Sequence, residues 1–142
     1  MEWGMTTEGI PYCYDAVRGK WLSYESATLA WSYVGTLSAD TYLRCAGYVQ
    51  SSVASYRMPH DGTIVWASVD SASIIAFGIK IYVDAVAAYS LSVAAPNNGA
   101  HDFAVSVDFN AGQIISAQAD FKADDILSPV VLIGVKWRQP TT

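Results

Sequence analysis

Alternation of apolar and polar residues with a period of two runs through most of this chain and constrains its fold more than any other feature. Successive side chains of a β-strand point to opposite faces, so such a run is a strand with one face in a core. Phe77, Ile79, Ile81 and Val83 alternate with Gly78, Lys80, Tyr82 and Asp84. Phe103, Val105, Val107 and Phe109 are opposed by Ala104, Ser106 and Asp108. Val131, Ile133, Val135 and Trp137 are opposed by Leu132, Gly134, Lys136 and Arg138, a second face that begins apolar and turns basic, as in a strand covered at one end. In residues 64–69, Ile64 and Trp66 stand against Val65, Ala67 and Val69, which predicts a strand buried on both sides. Residues 27–33 and 87–93 alternate more weakly.

Turn signals separate these runs: His60-Asp61-Gly62, Pro96-Asn97-Asn98-Gly99, Asn110-Ala111-Gly112 and Ser128-Pro129. Gly and Asn accept positive φ and Pro fixes φ, so each favours reversal. The spacing predicts roughly eight to ten strands in an all-β, antiparallel β-sandwich of jelly-roll type. Helix is expected in less than about a tenth of the chain, because residues 15–20 make at most a turn and residues 71–76 are too few to persist.

With 142 residues the chain is expected to form one domain. Residues 1–11 lack periodicity and read as an N-terminal arm ending in Gly9-Ile10-Pro11, with a single domain over 12–142. A hydrophobic content of 52% excludes disorder. The longest charge-free run, Ala85 to His101, is broken by Pro96-Asn97-Asn98-Gly99 and falls short of the ~20 apolar residues of a membrane span. A net charge of −5 and a pI near 4.7 speak against duplex nucleic acid as partner. The acidic start, without an apolar run, does not read as a signal peptide, so synthesis in the cytoplasm with Cys13 and Cys45 reduced is expected.

Charged residues make up only 15% of the chain, against ~25% in a typical domain. A surface of Ser, Thr, Ala, Tyr and Asn desolvates at low cost against a partner. Interfaces favour Tyr, Trp and Met over Lys and Glu, and this chain has nine Tyr and five Trp, which predicts an oligomer.

Catalytic chemistry finds little support. His60-Asp61 and His101-Asp102 are adjacent in sequence, whereas an orienting acid must reach its imidazole from across a fold. Asp108, Asp120, Asp124 and Asp125 lack the alternating spacing of a calcium loop and have Lys122 among them, so no metal and no cofactor are expected. Aromatics crowd the first third: Trp3, Tyr12, Tyr14, Trp21, Tyr24, Trp31, Tyr33, Tyr42 and Tyr48. They suit either a sugar-stacking surface or a strand core.

Four stretches together carry a family likeness. Tyr12-Cys13-Tyr14-Asp15 leads to Arg18-Gly19-Lys20-Trp21-Leu22-Ser23, and Tyr42-Leu43-Arg44 leads to Tyr56-Arg57-Met58-Pro59-His60-Asp61-Gly62-Thr63. Phe109-Asn110-Ala111-Gly112-Gln113-Ile114 precedes a strand, and 129–138 is an alternating strand. The layout resembles small virion-associated jelly-roll proteins and fibre-tip domains of tailed bacteriophages, akin to trimeric heads of the complement and tumour-necrosis-factor type. The resemblance implies a non-enzymatic capsid decoration or cement protein that sits as a homotrimer on the major capsid protein at the virion surface. Its alternative is a fibre-tip, receptor-binding head that takes a glycan. No stalk precedes the domain, so a chain starting at Met1 is expected to be a free-standing head. Partner contacts are expected from Trp3 and Met5 of the arm and from Arg18, Lys20 and Trp21 of the first turn.

Overall fold

The strongest alternating runs become the longest strands. The computed structural model describes residues 3–5, 9–45, 48–49, 54–122 and 126–140, and of residues 3, 5, 48, 49, 121 and 122 only the backbone. The strands are β1 (Trp3–Met5), β2 (Pro11–Asp15), β3 (Lys20–Ser23), β4 (Ala27–Ser32), β5 (Thr36–Leu37), β6 (Arg44–Cys45), β7 (Tyr48–Val49) and β8 (Tyr56–Arg57). They continue as β9 (Gly62–Asp70), β10 (Phe77–Val83), β11 (Val86–Val93), β12 (Gly99–Asp102), β13 (Val107–Phe109), β14 (Ile114–Lys122), β15 (Ile126–Leu127) and β16 (Val130–Trp137). No helix occurs among the described residues, and every pairing is antiparallel. The chain is an all-β protein.

Two sheets enclose the core. The larger has seven strands, β12-β9-β16-β4-β6-β7 with β13 also on β9, and the smaller runs β11-β10-β14-β8. Ile64, Ala67, Val69, Ile133 and Trp31 of the larger sheet meet Phe77, Ile79, Ile81, Ile115 and Ala117 of the smaller. These residues are within a few per cent of complete burial. Burying each of the larger side chains among them contributes ~1.5–3 kcal/mol to folding. The pairings are nested: β4 lies on β16, β8 on β14, β9 on β12 and β13, and β10 on β11.

Two strands depart from the expected alternation. In β9, Gly134 of β16 faces Trp66 but Val135 faces Ile64, so Val65 is the extra residue of a β-bulge. The bulge shifts the phase: Ile64, Ala67 and Val69 all enter the core, and Trp66 turns to the outer face instead of sharing a face with Ile64. The strand expected over residues 103–109 is interrupted. β12 ends at Asp102 and β13 begins at Val107, leaving Phe103 70% exposed while Val105 and Phe109 stay buried. The carbonyls released by this break are held by Arg18.

A third sheet, β1-β2-β3, lies against the large sheet at the Gly62–Trp137 end of its outer face. The Trp137 amide donates to Ser23 Oγ, the Gln139 amide to the Trp21 carbonyl, and Leu22 bridges to Arg138. Tyr12 and Leu22, on opposite faces of this sheet, are both buried, outside the main core. Within residues 1–11, read as an arm, Trp3–Met5 therefore runs as a strand on β2. The side chains of Trp3 and Met5 lie outside the described residues. Cover falls on the basic end of β16, around Lys136 and Arg138, and leaves the apolar end at Val130 and Leu132 open, the reverse of what its outer face suggests. Hydrogen bonding explains this, because Arg138 and, from the hairpin, Arg18 and Lys20 have acceptors within the chain.

Candidate functional site

The open half of the large sheet's outer face is the candidate site. His101, Ser68, Leu132 and Ala30 stand in one row across β12, β9, β16 and β4. Asp70, Val130 and Ser32 form the next row, and Trp66, Gly134 and Thr28 the one on the other side. With the Asn97–Gly99 turn and Ser128 as walls, His101, Ser68 and Leu132 of the first row and Asp70 and Val130 of the next floor a shallow groove of about 880 Å³. Asn98 fixes that wall: its carbonyl accepts from the Ser71 amide and its Nδ2 donates to the Ser71 carbonyl.

Beyond the groove, one end of the molecule is apolar and exposed. Val34 is 86% exposed, Ile74 66%, Leu127 44% and Val130 43%. Backbone bonds draw them together. The Ser128 amide donates to the Gly35 carbonyl, the Tyr33 amide to Pro129, the Ala72 amide to Leu127, and the Leu127 amide to Ser73 Oγ. In the described segments that meet here, 32–38, 70–76, 94–101 and 126–132, Asp70 is the single Asp, Glu, Lys or Arg. Scattered apolar side chains are normal on a surface, but several in one uncharged region mark a contact surface.

Arg18, at the β2–β3 turn, is engaged within the chain. Its Nη1 donates to Asp15 Oδ2 at 2.7 Å, its Nε to the Val105 carbonyl at 2.6 Å, and its Nη2 to the carbonyls of Val65 and Phe103 at 2.7 and 2.8 Å. One guanidinium thus satisfies the bulge carbonyl and two carbonyls of the strand break, which no ladder could. Burial raises the Asp15 carboxyl, but the hydrogen bonds and charge of Arg18 outweigh it and hold the group below the usual carboxylate range. Lys20 Nζ donates to Asp108 Oδ1 at 2.6 Å, as does Thr63 Oγ1 at 2.7 Å. Burial likewise raises Asp108, and Lys20, Thr63 and the more distant Arg138 bring it net below its ordinary value. Arg18 and Lys20 clamp the β2–β3 hairpin to the large sheet. Trp21, half-buried, tilts against Tyr14 at 5.6 Å between ring centres. The turn thus brings Arg18, Lys20 and Trp21 together, remote from the apolar end.

In neither histidine–aspartate pair does the aspartate accept from its neighbouring histidine. Asp61 accepts from the Ala111 amide, while His60 lies edge-on to Trp137. Asp102 accepts from Tyr89 Oη at 2.7 Å and from the Ala104 amide, and His101 packs against Phe103. Burial and the Asp102 carboxylate push the Tyr89 hydroxyl well above its usual range, and Tyr89 holds Asp102 below its own. This pair ties the edges of the two sheets. Among the described residues no three of His, Cys, Asp and Glu converge as metal ligands. Asp120 pairs with Lys80, and Asp124 and Asp125 lie outside the described residues. Cys13 and Cys45 are unpaired, half-buried thiols.

No family model matches the chain, and no curated protein matches it.

Most aromatics of the first third do not form a stacking surface. Tyr12 and Trp31 are buried, Tyr33 carries the Arg44 guanidinium, and Tyr14 and Tyr24 are exposed on either side of the hairpin. Trp3 and Tyr48 have side chains outside the described residues. The rings that sequence reasoning missed are the half-buried Trp66 and the exposed Phe103, which line one small cavity. The bulge and the strand break put them there, and alternation alone assigns both rings to the core.

Proposed function

We propose that this chain is a non-catalytic assembly protein: a jelly-roll head that associates as a trimer and binds the surface of a viral capsid, tying its subunits together. The nested pairing supports the jelly-roll reading. Taking β4, β8, β9, β10, β11, β12, β14 and β16 as eight successive strands, the first pairs with the last, the second with the seventh, the third with the sixth and the fourth with the fifth. That is a long hairpin rolled into two facing sheets, the plan of many viral capsid and lectin domains. A shared fold alone does not assign a function.

The observation that carries the function is the uncharged apolar end formed by Val34, Ile74, Leu127 and Val130 beside an open sheet face. Its exposed apolar area gains by burial against another subunit, whereas Arg18, Lys20 and Lys80 are engaged in ion pairs within the chain. The test is the location of the protein in purified particles. Attachment in amounts that match the shell's threefold positions, lost in an Ile74→Asp/Leu127→Asp variant that still folds, supports the reading. A few copies confined to a tail, or undiminished attachment of the variant, contradicts it.

A further inference from the structure

The strand break and the bulge leave a second, smaller cavity on the outer face, at the edge of the hairpin and away from the apolar end. It measures about 210 Å³ and is lined by Trp66, Phe103, Lys136, Val65, Asp15 and Arg18. That is below the roughly 300–1,000 Å³ of a pocket for a drug-sized ligand and suits one small ring.

Trp66 is held in place. A Cβ at Gly134 would overlap Nε1, Cε2 and Cδ1 of the indole, so the ring lies flat on the glycine backbone. The other wall is Phe103, 70% exposed and backed by the His101 ring at 4.8 Å. Exposing so large a ring gains nothing for folding, since the core is filled without it. Two aromatic walls favour a ligand with apolar C–H faces, and the edge of such a ligand finds hydrogen-bonding groups here. Among the described residues the Trp66 indole N–H has no acceptor.

Charge narrows the ligand further. Arg18 is committed to Asp15 and three carbonyls, which neutralises both at the base of the pocket. Lys136 has no ion-pair partner among the described residues, so the pocket carries one free positive charge on a protein of net charge −5. An extended polyanion would be repelled by that net charge, but a single carboxylate would not.

We infer that the pocket between Trp66 and Phe103 binds one carboxylated pyranose, a uronate unit within an otherwise neutral glycan, with the sugar ring against the aromatics and its carboxylate at Lys136. The pocket adjoins the assembly groove at His101, which lines the groove and backs Phe103, but shares no lining residue with it, so either reading can fail without the other.

The experiment is a titration of the full chain followed by the indole N–H resonance of Trp66, assigned from a Trp66→Phe variant. The probes are a glucuronate-containing oligosaccharide and the same oligosaccharide with its carboxylate reduced to the alcohol. The expected result is saturable shifts with the acid bound about threefold to fivefold more tightly, as an exposed ion pair provides. Lys136→Gln should remove that preference, and Phe103→Ala should weaken both sugars at least about fivefold. Both residues are solvent-accessible, so the variants should keep the wild-type spectrum elsewhere. Ile74→Asp/Leu127→Asp should leave binding unchanged. No saturable shift up to about 20 mM of either sugar overturns the inference, since that corresponds to less than ~2.3 kcal/mol of binding. So do equal affinities for acid and alcohol in the wild type, or full binding by Phe103→Ala.

Discussion

At the scale of single residues, Arg18 is the side chain on which most local structure depends. It joins an ion pair to three backbone carbonyls, and its side chain is 12% exposed. Arg18→Met keeps the stem and removes every donor, leaving carbonyls of the bulge and the strand break unpaired. We expect a loss of about 3 kcal/mol, or roughly 10 °C in the thermal midpoint, measured by thermal unfolding. Lys20→Ala, which opens a more exposed pair, should cost less than about 1 kcal/mol. The Arg18-Gly19-Lys20 turn stands out in the sequence, but its role does not. The acceptors lie 47 to 87 positions further along the chain, where nothing local identifies them. Gly134 is hidden in the same way. It reads as a weak point in a strand, whereas it is the seat of Trp66. Gly134→Ala should displace the indole, cost about 1–3 kcal/mol and shift tryptophan emission. Unchanged emission would contradict that placement.

At the scale of elements, legibility follows length and phase. β10 and β16 are readable because each holds one alternation over seven or eight residues, long enough to name its buried face, whereas β11 alternates more weakly and carries a bulge at Ala88. β5, β6, β7, β8 and β15 have two residues each, too few to carry a period, and tertiary pairing alone defines them. β9 deceives for a different reason: Ile64-Val65-Trp66 is apolar throughout, so no phase marks where the bulge falls. Residues 103–109 alternate well yet break at Phe103, because the carbonyls of Phe103 and Val105 find a better donor in Arg18 than in a ladder. The hairpin clamp gives this region a pH dependence. Asp15 and Asp108 have folded-state pKa values lowered from normal, so they stabilise the fold fully above the unfolded value of about 3.9. That stabilisation is lost as pH falls through the folded values. Asp15→Asn should therefore lower the thermal midpoint at pH 7, with a deficit that begins to shrink below about pH 4, as the unfolded carboxyl takes up its proton, and is gone only below the lowered folded-state value. A deficit independent of pH would show that the ion pair does not hold the hairpin.

At the scale of the whole molecule, the nested pairing places the turns so that one end gathers four segments whose single acidic or basic side chain is Asp70, and the other holds the clamped hairpin. The low charge of the sequence indicated a surface made for contact, but not where. Location required the fold, because Val34, Ile74, Leu127 and Val130 are spread over almost a hundred positions and meet only through the pairing of β5 with β15 and of β4 with β16. Burying that end in a trimer is the central claim. Each subunit would have to bury about 800 Å² for a stable complex, which the apolar end and the adjoining groove must supply together. Sedimentation velocity at micromolar concentration measures this directly. The wild-type chain should run as one species of about 46 kDa, three times its 15.3 kDa, and Ile74→Asp/Leu127→Asp should run as a folded monomer. A wild-type protein that stays at 15.3 kDa, or a variant that remains trimeric, would contradict the claim.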